Sequence, residues 1–259
     1  MSFDARFSGI QRLYGMEASE LIQRMHVCVI GVGGVGSWAI EALARTGVGR
    51  LTLIDNDDIS ASNTNRQLHT LTSTVGKSKV SVMAQRVAEI NPACDCRVID
   101  DFITAQTYET YLSKEYDYVI DAIDSIKFKS IVINYCKRNK IKIITTGGAG
   151  GLADPTAIKV ADLTQAYNDP LLSKVRSALR SDYGFPRGDK RRFGVECVFS
   201  SQSPVYPKPD GTVSHAKPGI HGVSLDCRFG YGSVSFVTAS FGFIAAAQAV
   251  NKTLKSRCK

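Results

Sequence analysis

No two cysteines in the 259-residue chain are spaced C-x-x-C. The seven that occur, Cys28, Cys94, Cys96, Cys136, Cys197, Cys227 and Cys258, are odd in number. That pattern excludes a zinc site built from paired thiolates, so no zinc is expected. It also favours a reducing cytoplasm over a disulfide framework. The opening residues, MSFDARFSGIQRLYGMEA, contain no apolar stretch, and no signal peptide is expected. Internal repeats and low-complexity linkers are missing too, which argues against a solenoid. Histidine is scarce, with four residues in all, and His69, His215 and His221 have no metal-ligand spacing, so no role is assigned to them.

Acidic residues are in deficit, 24 against 32 basic, which leaves a net charge of +8. The excess suits a polyanionic partner and equally suits a soluble basic surface. One uncharged run is long: the 23 residues Phe229 to Asn251, FGYGSVSFVTASFGFIAAAQAVN. Its length would span a bilayer, but glycine, serine and threonine dilute it. A buried or interfacial helix near the C-terminus is expected in preference to peripheral or C-terminal membrane association.

The rest of the chain alternates between short apolar strands and amphipathic helices. HVCVIGV, RLTLIDND, DCRVIDDF, YDYVIDAID and KIKIITTGGAGG read as strands; VGSWAIEALART, KSKVSVMAQRVAEIN and KFKSIVINYCKRN read as helices. This is an α/β pattern: a Rossmann-like, mainly parallel sheet flanked by helices, with right-handed crossovers. We expect a single domain over 1–259, with a nucleotide-binding part at about 26–150 and a decorated C-terminal part at about 151–259. In the latter, a helix is expected to open at Asp169-Pro170 and close near Gly184. DPTAIKVADL and VECVFSSQSPVY read as further strands, and the proline- and glycine-rich stretch 203–228 as a long loop.

The stretch VCVIGVGGVGSWAIEALARTGVGRLTLIDND, Val27 to Asp57, carries the strongest motif. Gly31, Gly33 and Gly36 form G-x-G-x-x-G, with Gly34 as an extra glycine. Such a turn lets backbone N–H groups at a helix N-terminus approach a phosphate. Asp55, 19 residues beyond Gly36, stands where a carboxylate accepts hydrogen bonds from ribose hydroxyls. These features indicate a nucleotide without choosing between NAD and ATP. Asn63, Arg66, Gln67 and Lys79 follow closely. Hydride transfer has little use for clustered cations there, whereas attack of a carboxylate on an α-phosphate needs them to neutralise charge on the leaving pyrophosphate. In YVIDAIDS, Asp121 and Asp124 stand at the C-terminal end of a strand. Asp124 is the better candidate for holding Mg²⁺, and Asp121 is also a candidate cap for the next helix. TTGGAGG, Thr145 to Gly151, is either a substrate-facing turn or a tight packing turn.

These residues resemble the adenylating superfamily that includes ubiquitin-activating enzymes and the bacterial molybdopterin- and thiamine-biosynthesis adenylyltransferases. The resemblance implies that Asp55 binds the ATP ribose, that Asn63, Arg66 and Lys79 hold the phosphates and stabilise their transfer, and that Asp124 coordinates Mg²⁺. It also implies that Arg12, in GIQRLYG, reaches the ATP of a partner subunit, hence a homodimer. The chain departs from the carrier-protein activators of the superfamily, which often carry two C-x-x-C pairs.

A narrower resemblance extends over nearly the whole chain, through RLYG, DNDDISASNTNRQLH, VIDAIDS, TTGGAGG and VFSSQSPVYP. It is to the tRNA-modifying branch that dehydrates threonylcarbamoyladenosine beside the anticodon. That resemblance implies activation of the threonine carboxylate as an acyl-adenylate, then ring closure by an internal nucleophile with loss of AMP. No protein nucleophile is needed, since the attacking group is tethered to the carboxyl. It further implies a link to cysteine-desulfurase systems, which leaves Cys227 open as a reactive thiol or an inert one. Lys174, Arg176, Arg180, Arg187, Lys190, Arg191 and Arg192 form a candidate tRNA landing surface, with Asp182 and Asp189 as acids inside it and Asp169 flanking it. Tyr183, Phe185 and Phe193 are interleaved as candidates for stacking on unpaired bases. A monovalent cation in the glycine-rich loops is a further candidate. Three other readings stand beside this one: adenylation of a small sulfur-carrier protein, an NAD-dependent dehydrogenase, and a non-catalytic RNA-binding scaffold.

Overall fold

The structure is a computed structural model that describes residues 3–188, 191–216 and 232–257. Its first half is a βα alternation. After α1 (Phe3–Tyr14) and α2 (Met16–Arg24), the chain runs β1 (His26–Ile30), α3 (Gly36–Thr46), β2 (Arg50–Ile54), α4 (Lys79–Ile90) and β3 (Asp95–Ile99). Beyond the short α5 (Tyr108–Tyr111) come β4 (Tyr118–Asp121), α6 (Ile126–Arg138) and β5 (Ile143–Thr146). The C-terminal half adds β6 (Ile158–Asp162), α7 (Pro170–Asp182), β7 (Glu196–Ser200), the two-residue strands β8 (Tyr206–Pro207) and β9 (Val213–Ser214), and α8 (Ser235–Arg257).

The main sheet has the order β3-β2-β1-β4-β5-β7-β6. Every pairing in it is parallel except β6 with β7. Central β1 is buried on both faces, as a strand covered by helices on either side must be. Val27 and Val29 point into one core, with Ile40 and Leu43 of α3 and Phe241 of α8. Cys28 and Ile30 point into the other, with Val132 and Ile133 of α6 and Val175 and Leu179 of α7. Strand alternation thus splits HVCVI between two cores.

The uncharged C-terminal run is resolved by α8, which begins six residues after the expected start and packs along α3. Gly242 makes the crossing close: a β-carbon there would lie 2.5 Å from the Val35 carbonyl oxygen. Among the described residues no helix is long and apolar enough to cross a membrane. The expected loop 203–228 contains the β8–β9 ribbon, and its remainder from 217 lies outside the described residues.

Strand order reverses between β1 and β4, whose successors leave toward opposite edges of the sheet. A crevice opens beyond the carboxyl ends of strands at such a point. The glycine turn after β1 and the loop after β4 meet there.

Candidate nucleotide site

The glycine turn is built by steric necessity at two positions. Gly31 has φ of +86°, and a β-carbon there would lie 2.8 Å from the Ala122 carbonyl oxygen. Gly36, the first residue of α3, sits so close to the strand end that a β-carbon would be 1.8 Å from the Gly31 carbonyl oxygen. Gly33 and Gly34 face more open space. The nearest atom to a β-carbon on Gly33 would be Gln67 Nε2 at 3.8 Å, and Gly34 would meet the Arg66 stem at 3.3 Å. The turn leads straight into the N-terminus of α3, the kind of position where backbone N–H groups bind a phosphate; within the first turn of the helix, Ser37 and Ala39 already donate to the Gly33 and Val35 carbonyls, each at 3.1 Å.

Asp55 closes one side of the turn. One carboxylate oxygen accepts from the Val32 N–H at 2.6 Å and the other from the Asp57 N–H at 2.8 Å. Burial pushes its carboxyl above the usual range, opposed by those two N–H groups and by the Lys79 charge. His69, unassigned from sequence, is buried under the same turn, with Nε2 2.8 Å from the Val32 carbonyl oxygen. Only a protonated Nε2 can donate to a carbonyl. Burial also pushes the ring's pKa down, which keeps it neutral. The Val32 backbone is therefore held on both sides, its N–H by Asp55 and its carbonyl by His69.

The cations stand around this frame. Arg66 lays its stem on Gly34 and donates from Nη1 to the Ser62 carbonyl and to Asn65 Oδ1, each at 3.0 Å. Its carbonyl is anchored by Trp38 Nε1 at 3.0 Å and by the Thr238 hydroxyl of α8 at 3.3 Å. Lys79, at the start of α4, is 5% exposed and its ammonium donates to Asp57 at 2.6 Å. Asp57 is thus the ion-pair partner of Lys79, a contact that the motif itself does not flag. Asn63 is buried, and its side-chain oxygen closes its own turn by accepting from the Ser60 N–H at 3.0 Å. Gln67 is also buried, and its Oε1 has no hydrogen-bond partner. A buried polar oxygen beside bare glycine backbone is a position that a bound donor would complete.

After β4, Asp121 and Asp124 separate sharply. Asp124 is exposed at the sheet edge. Asp121 is fully buried and does not cap α6, whose N-cap is Ser125. Its carboxylate instead accepts from Lys129 Nζ at 2.9 Å, from the Thr145 hydroxyl at 2.7 Å and from the Ile123 N–H at 3.1 Å. Lys129 lies on α6 and is itself fully buried. Its isolated sequence position gave no sign of this; only the third residue of "KFK" one turn into a helix facing Asp121 would do so.

TTGGAGG proves to be a packing turn at its first glycine. A β-carbon on Gly147 would lie 1.9 Å from Asp169 Oδ2, and the Gly148 N–H donates to that oxygen at 3.0 Å. Asp169 also caps α7, accepting from the Leu172 N–H at 2.9 Å. Burial raises its carboxyl pKa against these N–H donors.

Several expected site residues lie elsewhere. Arg12 is exposed in the last turn of α1, with its guanidinium near Gly9 of the same helix. Lys174, Arg187, Arg191 and Arg192 are exposed, and Arg176 and Arg180 are half-buried. Phe193 is 3% exposed and covered by Phe185, with ring centroids 4.9 Å apart, so it is core and cannot stack on a base. Lys190 and Cys227 lie outside the described residues. Among the described residues no three His, Cys, Asp or Glu side chains cluster as a metal site.

The ThiF family matches residues 8–258. The chain is 51% identical over 250 residues to a tRNA threonylcarbamoyladenosine dehydratase from Escherichia coli, covering 96% of this chain and 93% of that one. It is 49% identical over 257 residues to the enzyme of the same name from Haemophilus influenzae, covering 99% and 96%. The fold superposes with a TM-score of 0.89, at 47% identity and with 99% and 96% coverage, on the Escherichia coli enzyme solved in complex with ATP.

Proposed function

The chain belongs to the ThiF family, and from that premise we infer that it is an ATP-dependent tRNA threonylcarbamoyladenosine dehydratase. The likeness over nearly its full length to an enzyme of that name, solved with ATP, carries the reading. It sets aside the sulfur-carrier and dehydrogenase alternatives. The reaction begins when the threonine carboxylate attacks the α-phosphorus of ATP. An acyl-adenylate forms and pyrophosphate leaves. The tethered nucleophile of the modification then attacks the acyl carbon, AMP departs, and one proton is released as the ring closes.

We propose the following division of labour. The phosphates lie over Gly33 and Gly34, where side chains are absent, and the ribose hydroxyls donate to Asp55. Arg66, fixed on Gly34, turns its guanidinium from Ser62 and Asn65 to the phosphates. Lys79 leans on Asp57 until a phosphate competes for it, since a compact ammonium exchanges partners readily. Asn63 and Gln67 offer amide groups to the nucleotide. Asp124, exposed beside the turn, is the carboxylate that would hold Mg²⁺, which would neutralise phosphate charge. The basic face of α7 and the following loop takes up tRNA. The whole chain acts as one adenylation unit in the cytoplasm. Two copies pair so that Arg12 completes the neighbouring site, a pairing supported by the exposed Leu13 and Met16 beside it.

The test is to incubate the protein with ATP, Mg²⁺ and tRNA carrying threonylcarbamoyladenosine, then weigh the digested nucleosides. Loss of one water, abolished by Arg66→Ala, is the expected result. No loss under any condition would overturn the reading.

A further inference from the structure

We propose that the cleft between the C-terminal ends of α6 and α7 is a second RNA subsite, which seats an unpaired nucleotide and its phosphate at a distance from the reacting adenosine. The inference rests on the tRNA-modifying reading above.

The cleft is an open depression of about 470 Å³, lined by Asn134, Lys137 and Arg138 of α6, by Tyr183 and Phe185, and by Arg192 of the following loop. None of the three α6 side chains was among the candidates suggested by the basic run after Lys174. Its floor is aromatic: Phe193 is buried beneath Phe185, and the Arg180 guanidinium lies 5.4 Å from the Phe193 ring centre. Tyr183 is half-buried among the lining residues and packs in part against the core.

The charges here are not structural pairs. Among the described residues, Lys137, Arg138, Arg180, Arg187, Arg191 and Arg192 form no ion pair with a carboxylate. Lys137 donates to the Gly194 carbonyl at 3.1 Å, and Arg138 Nε to Asn134 Oδ1 at 3.1 Å. The nearby acid Asp162 is turned inward, accepting from the N–H groups of Phe193 at 3.1 Å and Gly194 at 2.7 Å. Cations in the last turn of α6 also favour its dipole, but that does not account for Arg192, which is on a loop. Exposed cations ringing an aromatic-walled cleft are the combination that binds single-stranded nucleic acid, by phosphate contact and base stacking.

The placement fits one RNA molecule reaching both sites. Helix α6 starts just after Asp124 and ends at the cleft, and its 13 residues span about 20 Å. A few nucleotides of a splayed loop cover that distance. The cleft would therefore measure the RNA flanking the modified base, and so select tRNA over a free modified nucleoside.

The experiment uses the full chain with wild-type sequence, Arg138→Glu/Arg192→Glu and Tyr183→Ala. Affinity for tRNA carrying threonylcarbamoyladenosine is measured across salt concentrations, with ATP affinity in the absence of tRNA as the control. The double variant should bind tRNA about tenfold more weakly at low salt, with a salt slope shallower by about 2. Tyr183→Ala should weaken binding about fivefold or more with the slope unchanged. ATP affinity should not move. If charge reversal impairs folding, Arg138→Gln/Arg192→Gln should still flatten the slope. Unchanged affinity and slope in folded variants, beside a wild-type protein that binds and cyclises tRNA, overturns the subsite alone. A wild-type protein that neither binds nor cyclises tRNA overturns the enzyme reading together with it.

Discussion

Two lysines at the nucleotide crevice and the cations of the basic cleft are held in opposite ways, with Arg66 between them, half-buried and held by the Ser62 and Asn65 oxygens rather than by a carboxylate. In the crevice and just beneath it, Lys79 and Lys129 are buried and each is held by a carboxylate, Asp57 or Asp121. At the far ends of α6 and α7 the cations are mostly exposed and hold no carboxylate among the described residues. A paired buried charge contributes geometry, because its partner fixes where it sits and breaking the pair is costly. An unpaired exposed charge contributes potential, which tolerates displacement and is screened by salt. The first region should respond to small changes of shape, and the second only to changes of charge.

The largest effect tests the steric limit of the crevice. Gly36→Ala should cost more than about 3 kcal/mol, since overpacking against rigid backbone leaves nothing to move; the check is a denaturant midpoint together with ATP binding. Lys129→Met should come next, at about 3–5 kcal/mol, because it strands Asp121 without its partner. Adding Asp121→Asn should recover part of that loss, and no recovery in chemical denaturation would mean that the pair is not the cause. Arg66→Lys should lower kcat about 10²-fold or more while leaving stability nearly unchanged, as one point charge replaces a two-pronged donor. Arg138→Lys with Arg192→Lys should change tRNA affinity less than about threefold. A large loss there would show that the cleft, too, depends on shape, and would erase the contrast.

The smallest effect concerns pH. Burial lowers the His69 pKa below its ordinary value of 6.5, so the unfolded chain takes up a proton first as pH falls. The stability contributed by the neutral ring is complete above about pH 6.5 and is lost as pH falls from there through the folded-state pKa. His69→Gln should therefore flatten the decline in melting temperature between pH 7 and 5 relative to wild type. His26 behaves in the same direction and will keep part of the slope. Parallel curves for the two proteins would assign the ring no such role.

Much of the sheet was legible because parallel strands buried on both faces are short apolar runs, and HVCVI and YVID leave no other reading. The helix at Pro170 was legible because Asp169 before a proline is a local capping signal. Phe193 was misread because its neighbours in sequence are arginines, while its neighbours in space are Phe185 and the core beneath α7. The start of α8 was blurred because glycine and serine dilute the apolar signal before Ser235.

By itself the sequence determined the βαβ frame, the glycine turn with Asp55 at its side, and the supply of cations after it, because strand alternation, glycine freedom and helix caps act over a few neighbouring residues. Tertiary structure alone decided which charges are paired. Asp121 meets Lys129 only because a turn of α6 lies over the end of β4. His69 reaches Val32 across 37 positions, and α6 meets α7 on one face of the sheet to form the basic cleft. Burial and pairing depend on what packs from a distance, and no local pattern encodes that.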